Sequence, residues 1–307
     1  MADQAPRQIA CDESGYEGEK LIGTTTAAFA HASVDLDVAA AAECIQELRD
    51  RIRSPATEYK ANHVLREKHR AVLHWILGPA GPLRGRAHVY LIDKPFYVLG
   101  KVVDLVVGGE HTEELTEAIY AAGPAAVGED RWTALLGAAN DLLRVKDRQD
   151  ATTSVDAFFG LLTDLPELFG PLLAGRRRAE DFRLRLREGS TLDADLDPLI
   201  PAIIGALAWW GRDGRQVLIL HDRQNTLTAD RVAQIRRLAG PLGPVLAGLT
   251  LAHSSIEPRV QVADVIAGAI RKIASDELNG RADEHLVELA RPFVDPASVW
   301  SAKRQWW

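Results

Sequence analysis

Short apolar runs that end in acidic or turn-forming residues predict the strands of this chain. The run Arg7–Cys11 is followed by Asp12–Gly15, and this order is typical of a buried strand that ends in a turn. A threonine-rich run over 21–31 alternates in part, so we expect a second strand that pairs with the first. The predicted strands are 7–11, 21–31, 87–93, 216–222 and 245–251.

Apolar residues at helical spacing fill most of the segments between these strands. Asp35 and Asp37 precede an alanine-rich helix with one apolar stripe, and Ser54-Pro55 ends it. The predicted helices outside the middle of the chain are about 36–53, 66–77, 228–239, 258–276 and 282–290. Strands separated by helices predict an α/β fold with a mixed or largely parallel sheet.

The middle of the chain, from about 108 to 212, has helical patterns and almost no strand signal. Its predicted helices are 111–122, 131–144, 153–164 and 198–210. Because this stretch begins and ends between strands of the same sheet, we interpret it as a helical insertion. Residues 1–307 are therefore expected to form a single domain, interrupted at about 108–212.

The composition is that of a globular chain, with 47% hydrophobic and 26% charged residues. The chain has 36 basic and 43 acidic residues and a net charge of −7, which argues against a surface covered with basic patches. We find no uncharged run of about 18 apolar residues and no apolar signal segment. Cys11 and Cys44 are too few for a disulfide framework, so we expect a cytoplasmic protein.

Acidic residues follow three of the predicted strands, and another lies on an apolar helix face. They are Asp12, Asp93, Asp222 and Asp264. Ligands of α/β sheets bind beyond the carboxyl ends of the strands, and a buried aspartate is costly unless it is paired or binds a cation. A single acid is more simply a helix cap or turn residue. Several that converge indicate a site for Mg²⁺ or Mn²⁺, which prefer oxygen ligands.

Other chemistries lack their motifs. The chain has no Walker-type loop, no G-x-G-x-x-G after a strand and no G-x-S-x-G turn. Cys11 lies in a strand beside acids, which does not lower a thiol pKa, so we expect a structural role. His221 and His253 follow strands and fit either a metal or proton-transfer role or, more simply, a structural one.

The acidic residues belong to a set of motifs that resembles a ribonuclease H-like family known as the domain of unknown function numbered 3800. The matching segments are Asp12-Glu13-Ser14-Gly15, Glu58-Tyr59-Lys60, Ile92-Asp93-Lys94, His221-Asp222-Arg223, Ser254 and Gln261-Val262-Ala263-Asp264-Val265-Ile266-Ala267-Gly268-Ala269. The resemblance covers about 1–105 and 212–276. It implies a ribonuclease H-like mixed sheet flanked by helices, and it assigns no role to the insertion.

The resemblance also implies a two-ion site. Asp12 would be the central acid that bridges both Mg²⁺ or Mn²⁺ ions, with Asp222 on the later strand and Asp264 on the final helix. Glu58 is the expected fourth ligand. Glu13 and Asp93 are weaker candidates, because adjacent strand residues point to opposite faces.

Further residues of these motifs are candidates for substrate contacts. Lys60 and Lys94 could neutralise a phosphate or orient water, and each could equally be a surface lysine. Gln261 precedes Asp264 by three residues and so shares its helix face, where it could orient the carboxylate or touch a phosphate. Ser14 could bind phosphate or serve as a turn residue.

The insertion contains the one concentration of basic residues. Arg176, Arg177 and Arg178 are followed by a segment, 182–187, in which apolar residues and arginines alternate, as in a strand or an extended arm. As a helix it would place Arg183 and Arg187 on one face. Either form could follow a phosphate backbone, whereas the simpler interpretation is a solvated face.

We therefore expect a metal-dependent phosphodiester hydrolase, nuclease-like, with a helical insertion and nucleic acid as a candidate partner. Two alternatives stay open. One is a non-catalytic module on the same fold that binds nucleic acid or protein. The other is a hydrolase or transferase of a small nucleotide-like substrate, for which a closed pocket under the insertion would be the sign. No particular oligomeric state and no membrane association are predicted.

Overall fold

The computed structural model describes residues 5–53, 64–144, 151–188, 196–243, 245–302 and 306. Its strands are β1 Arg7–Ser14, β2 Ala28–Val34, β3 Ala87–Asp93, β4 Val217–Asp222 and β5 Leu246–Ala252. Its helices are α1 Val38–Ile52, α2 Arg70–Leu77, α3 Lys94–Val106, α4 Thr112–Val127, α5 Glu129–Leu143, α6 Ala151–Leu162, α7 Gly170–Ala174, α8 Arg176–Arg187, α9 Leu199–Gly211, α10 Ala229–Ala239, α11 Pro258–Leu278 and α12 Glu284–Ala290, with 3-10 turns at Glu67–His69, Glu167–Phe169, Gly240–Leu242 and Arg291–Phe293.

The five strands form one mixed sheet in the order β3-β2-β1-β4-β5. Strand β2 runs antiparallel to both of its neighbours, and β1, β4 and β5 run parallel to one another. The predicted α/β class is confirmed. In the register of the central strand, Cys11 lies opposite His221 on β4 and Glu13 lies opposite His31 on β2.

The predicted second strand was placed too early. The structure begins β2 at Ala28, and the preceding residues 21–27 form a loop that turns at Gly23, where φ is +70°. The Thr24 hydroxyl lies 3.3 Å from the Leu21 carbonyl oxygen and 3.1 Å from that of Thr26, so the loop satisfies its own polar groups. Threonine favours strands by its branched shape, but its hydroxyl equally supports turns.

Most predicted helices are present with ends close to those expected. The Asp37 carboxylate accepts a hydrogen bond from the Ala40 N–H at 2.7 Å and caps α1, as the pattern indicated. Helix α3, which begins directly after β3, is capped in the same way by Asp93. In the described part of the chain, no helix is long and apolar enough to cross a membrane.

The two faces of the sheet are buried by different helices. Ile9 and Cys11 point to the face that α9 covers, and Ala10 points to the face that α11 covers. Helices α4–α9 lie between α3 and β4 in the chain, where the insertion was predicted. Their apolar residues join the Ile9 face in one continuous buried cluster. Residues of β1 therefore contribute alternately to two separate environments.

The outer edge of β3 is covered by the C-terminal segment. The Asp295 N–H donates to the Val89 carbonyl at 2.8 Å, and the Val299 N–H donates to the Leu91 carbonyl at 2.9 Å. A buried polar contact fixes the same segment, because His88 Nε2 lies 2.7 Å from Asp295 Oδ2. The second ring nitrogen of His88 lies 3.3 Å from Ser33 Oγ.

Ser33, His88 and Asp295 resemble a hydrolase triad in composition but do not work as one. Ser33 and His88 are fully buried, and Ser33 Oγ accepts a hydrogen bond from Trp210 Nε1 at 2.8 Å. A substrate would have no route to this serine. The three residues instead tie the C-terminal segment to the sheet.

Replacing Asp295 is therefore expected to destabilise the fold. Asp295→Ala leaves His88 buried without its partner and should lower the free energy of unfolding by about 1–3 kcal/mol, measured by urea denaturation. The control is Asp181→Ala, which removes an exposed carboxylate on α8 and should change stability by less than about 0.5 kcal/mol. Equal stability of the two variants would contradict a structural role for the triad.

Candidate functional site

The site is organised by the alternation of side chains at the end of β1. Asp12 shares the face of Ala10, which α11 covers, and Glu13 shares the face of Cys11. Cys11 is fully buried, and this burial, with the nearby acids, raises the pKa of its thiol. The thiol is therefore not activated, and the predicted structural role of Cys11 fits its surroundings.

The carboxylate of Asp12 is buried beside those of Asp222 and Asp264. Burial is the largest cause that raises its pKa, to about 9, and repulsion from Glu13, Asp264 and Asp222 adds to it. The Glu13 N–H, which donates to Asp12 Oδ1 at 2.7 Å, acts in the opposite direction. Asp12 is consequently protonated at neutral pH in this arrangement. We call Asp12, Asp222 and Asp264 the carboxylate cluster.

A short link connects the strand acid and the helix of the cluster. Asp222 Oδ1 accepts a hydrogen bond from the Ser254 N–H at 3.1 Å, and the Ser254 carbonyl accepts one from Gln261 Nε2 at 2.7 Å. Gln261 is 7% exposed, and its Oε1 has no hydrogen-bond partner among the described residues. This leaves a buried acceptor oxygen one helical turn before Asp264.

Among the described residues, the carboxylate cluster does not form a ready-made metal centre. Within the described ranges, no group of three or more His, Cys, Asp and Glu side chains could hold a metal ion as it stands. Glu58 and Lys60, the other predicted residues of the site, lie outside the described residues. The donor atoms, three carboxylates and an amide oxygen, are nevertheless those that a hard divalent cation prefers.

Glu13 is not part of the carboxylate cluster face, and its prediction as a metal ligand is not supported. Its Oε1 accepts a hydrogen bond from Gln224 Nε2 at 2.5 Å, and its Oε2 lies 3.6 Å from His221 Nε2. His221 in turn contacts the buried His31, with 3.2 Å between their Nε2 atoms. Burial lowers the pKa of His31, so this ring is neutral. The physical reason is the strand alternation, which turns Glu13 and His221 to the opposite side of the sheet.

Ser14 lies on the same face of β1 as Asp12 and contacts Arg271, a residue that the sequence analysis did not single out. Its Oγ accepts a hydrogen bond from Arg271 Nε at 2.9 Å. The next residue, Gly15, has φ +81°, and a Cβ there would lie 2.5 Å from the Ala28 carbonyl oxygen and 2.9 Å from Arg271 Cδ. Arg271 follows Asp264 by seven residues, two helical turns, so helix periodicity was the signal that could have found it.

Lys94 is fully buried near Arg271 and does not lie on the surface. Its Nζ donates to Thr26 Oγ1 at 2.9 Å and to Thr24 Oγ1 at 3.2 Å, and lies 3.6 Å from Glu17 Oε2. The lysine therefore organises the loop that was predicted as a strand. Because Lys94 is buried, its effect on a substrate would be indirect, through the position of Thr24 and Thr26.

The arginines of the insertion are largely bound within the protein. The segment is the helix α8 and not a strand or arm. Arg176 pairs with Asp156 and, at 3.0 Å, with Glu180, and Arg178 donates to the Val107 carbonyl beyond the end of α3. Helix α3 separates this end from Lys94 by about 18 Å.

Two further arginines of α8 complete this picture. Arg177 is exposed, whereas Arg183 is 1% exposed and donates to the Arg144 carbonyl at 2.9 Å. The structure therefore does not bring the predicted substrate-binding arginines to the carboxylate cluster.

A pocket of about 540 Å³ lies beneath the insertion. It is bounded by the threonine loop, the start of α3, helices α4 and α5, and the end of α11 at Leu278 and Asn279. Asp93 contributes to the wall, where its carboxylate accepts a hydrogen bond from Tyr120 at 2.5 Å. Eight of the seventeen lining residues carry a hydroxyl, amide or carboxylate group, a mixture that suits a small molecule with polar groups.

Comparison of the chain with protein-family models, curated proteins and solved structures gives no match.

The raised pKa of Asp12 has a consequence for stability. Between about pH 4 and pH 9 the folded protein holds a proton on Asp12 that the unfolded chain releases, so the free energy of unfolding falls as pH rises. Asp12→Asn removes this dependence. Its stability relative to wild type should increase with pH, by at least about 1.4 kcal/mol from pH 4 to pH 8.

Urea denaturation at several pH values measures this effect. Asp181→Asn, on the exposed surface of α8, is the matched control and should keep a constant difference from wild type. A stability difference between Asp12→Asn and wild type that is the same at pH 4 and pH 8 would show that the Asp12 pKa is not raised.

Proposed function

We propose that this protein is a metal-dependent phosphodiester hydrolase with a ribonuclease H-like architecture. The observation that carries the proposal is the burial of Asp12 among like charges, which raises the pKa of its carboxyl to about 9. Strongly perturbed carboxyl groups at strand ends are common at functional sites. The mixed sheet flanked by helices agrees with the architecture that the motifs imply.

The chemistry of the donors fits Mg²⁺ or Mn²⁺. Asp12, Asp222 and Asp264 would hold the ions, with Glu58 as the proposed fourth ligand. The unpartnered Oε1 of Gln261 is a further oxygen at this place. When bound, the ions supply a water of lowered pKa and stabilise the charge on the leaving oxygen.

The chain's own residues have three tasks in this proposal. Asp12 releases its proton as a cation takes over the neutralisation of the cluster. Ser254 and Gln261 keep Asp222 and the start of α11 together, so that the acids of strand and helix stay in register. The backbone N–H of Glu13, bound to Asp12 Oδ1, orients the central carboxylate.

A second candidate, hydrolysis or transfer on a small nucleotide-like substrate, is favoured by one observation. The pocket of about 540 Å³ lies beneath the insertion, whereas Arg176 and Arg178 are bound to other groups of the protein. A polymer would need an open basic surface. Both candidates use the same carboxylate cluster, so they differ in substrate and not in chemistry.

Mn²⁺ binding tests the metal site without any assay of activity. Calorimetric titration in two buffers of different ionisation enthalpy should show Mn²⁺ binding with release of about one proton at pH 7, and tighter binding at pH 8 than at pH 6. Asp12→Asn should bind at least about tenfold more weakly and release no proton, whereas Asp181→Asn should behave as wild type. Equal binding by wild type and Asp12→Asn would refute the site.

Hydrolysis is tested with single-stranded DNA, RNA and bis(p-nitrophenyl) phosphate. We expect cleavage that requires Mg²⁺ or Mn²⁺ and that falls at least about 100-fold in kcat/KM in Asp12→Asn and Asp264→Asn. Activity that survives in both variants would disprove the assignment. The relative rates on the polymers and on the small diester separate the two candidate functions.

A further inference from the structure

Arg271 is a half-buried cation without a carboxylate partner in the described structure. Its one hydrogen bond there goes to the neutral hydroxyl of Ser14, at 2.9 Å. The nearest acid on its own helix, Asp276, is occupied by Lys272 and, at 3.5 Å, by Arg281. Desolvation is the larger effect and lowers the pKa of Arg271, whereas the charge of Asp276 acts in the opposite direction. Burying an unpaired cation costs free energy that a bound anion would recover.

A second cation, Lys94, lies close enough to reinforce this charge. Burial is the main cause that lowers the Lys94 pKa, and repulsion from Arg271 lowers it further, while Glu17 acts against both. Glu17 Oε2 lies 3.6 Å from Lys94 Nζ, and the Glu17 side chain is 31% exposed. Lys94 and Arg271 are thus neighbouring cations, with Glu17 beside the first and Asp276, already paired with Lys272 and Arg281, acting on the second. Two neighbouring cations attract an anion more strongly than one does.

The local backbone presents Arg271 and Ser14 together. Gly15 has no side chain to separate them, and a Cβ there would collide with Arg271. Ser14 Oγ accepts from Arg271 Nε and keeps its own hydrogen for donation. The guanidinium has two further nitrogens besides Nε that can donate hydrogen bonds. Such a planar fork with a hydroxyl suits the tetrahedral oxygens of a phosphate.

The position of Arg271 relates it to the carboxylate cluster and to the pocket. Asp264, Arg271 and Leu278 are spaced by seven residues on α11, so they follow one face of the helix at steps of about 10 Å. Leu278 lines the pocket beneath the insertion. Ser14 follows Asp12 by two residues on the same face of β1. Arg271 thus lies between the carboxylate cluster and the pocket along the face of α11 that packs against the sheet.

We propose that Arg271 and Ser14 bind a second phosphate of the substrate, about 10 Å from the phosphate that is cleaved at the carboxylate cluster. That the anion is a phosphate rests on the proposed hydrolase function. The substrate class is accordingly a phosphodiester that carries a further phosphate, with its polar organic group directed toward the pocket. A lone monoester cannot occupy both positions.

Binding of inorganic phosphate tests the site directly. Titrations of the full chain in EDTA at constant ionic strength should show saturable binding that raises the thermal unfolding temperature of wild type. Arg271→Gln should weaken binding at least about tenfold. Arg187→Gln, which removes the same charge from the exposed surface of α8, is the matched control and should stay within about twofold. Equal binding by the two variants, or no saturable binding by wild type, would overturn the proposal.

Ser14→Ala removes one hydrogen-bond donor without changing the charge. It is the second test variant, to be used if Arg271→Gln does not fold. We expect phosphate binding to weaken about three- to tenfold, and unchanged binding would count against the site.

Phosphate binding also separates this proposal from the hydrolase assignment. Asp12→Asn should bind phosphate in EDTA at least as well as wild type, because the cluster is not needed for it. If phosphate binding depends on Arg271 but wild type hydrolyses no substrate, the anion site is supported and the hydrolase function is refuted. If wild type shows metal-dependent hydrolysis but Arg271→Gln binds phosphate as well as wild type does, the hydrolase function stands and the anion site is refuted.

Discussion

The structure depends on a carboxylate, Asp12, buried in the central strand beside the like charges of Glu13, Asp222 and Asp264. Strand β4 brings Asp222 to its side through the parallel register, and α11 crosses β1 with Asp264 on the same face. An ionised carboxylate in these surroundings is costly, so the folded protein holds it protonated. The fold thus maintains an arrangement that works against its own stability, as is common at functional sites.

The strand β1 distributes four consecutive residues over different surroundings. Asp12 and Ser14 face α11, where they meet Asp264 and Arg271, whereas Glu13 faces the buried histidines of the other side. Gly15 ends the strand in a conformation with positive φ that lets helix and loop approach closely. The Asp-Glu-Ser-Gly motif therefore places an acid, a hydroxyl and a turn at fixed positions where the end of β1 packs against α11.

The arginines of the insertion have a different role from the charged residues between β1 and α11. Arg178 and Arg183 satisfy backbone carbonyls at helix ends, and Arg176 forms ion pairs with Asp156 and Glu180. Such contacts hold the helices of the insertion together. Arg271 lies in a part of the chain where the sequence shows no basic concentration, and its hydrogen bond goes to the neutral hydroxyl of Ser14. A charge total of −7 says little about which cation is free to bind a ligand.

The sequence by itself determined the α/β class, most strands and helices, and the three aspartates of the cluster, because alternation and helical spacing are local properties. It misplaced the second strand, since the threonine loop is organised by Lys94, far away in the chain. Only the tertiary structure decided that Arg271 meets Ser14 and that Arg178 and Arg183 of α8 bind backbone carbonyls. The physical reason is that the role of a charge depends on which groups lie opposite it, and those come from distant elements.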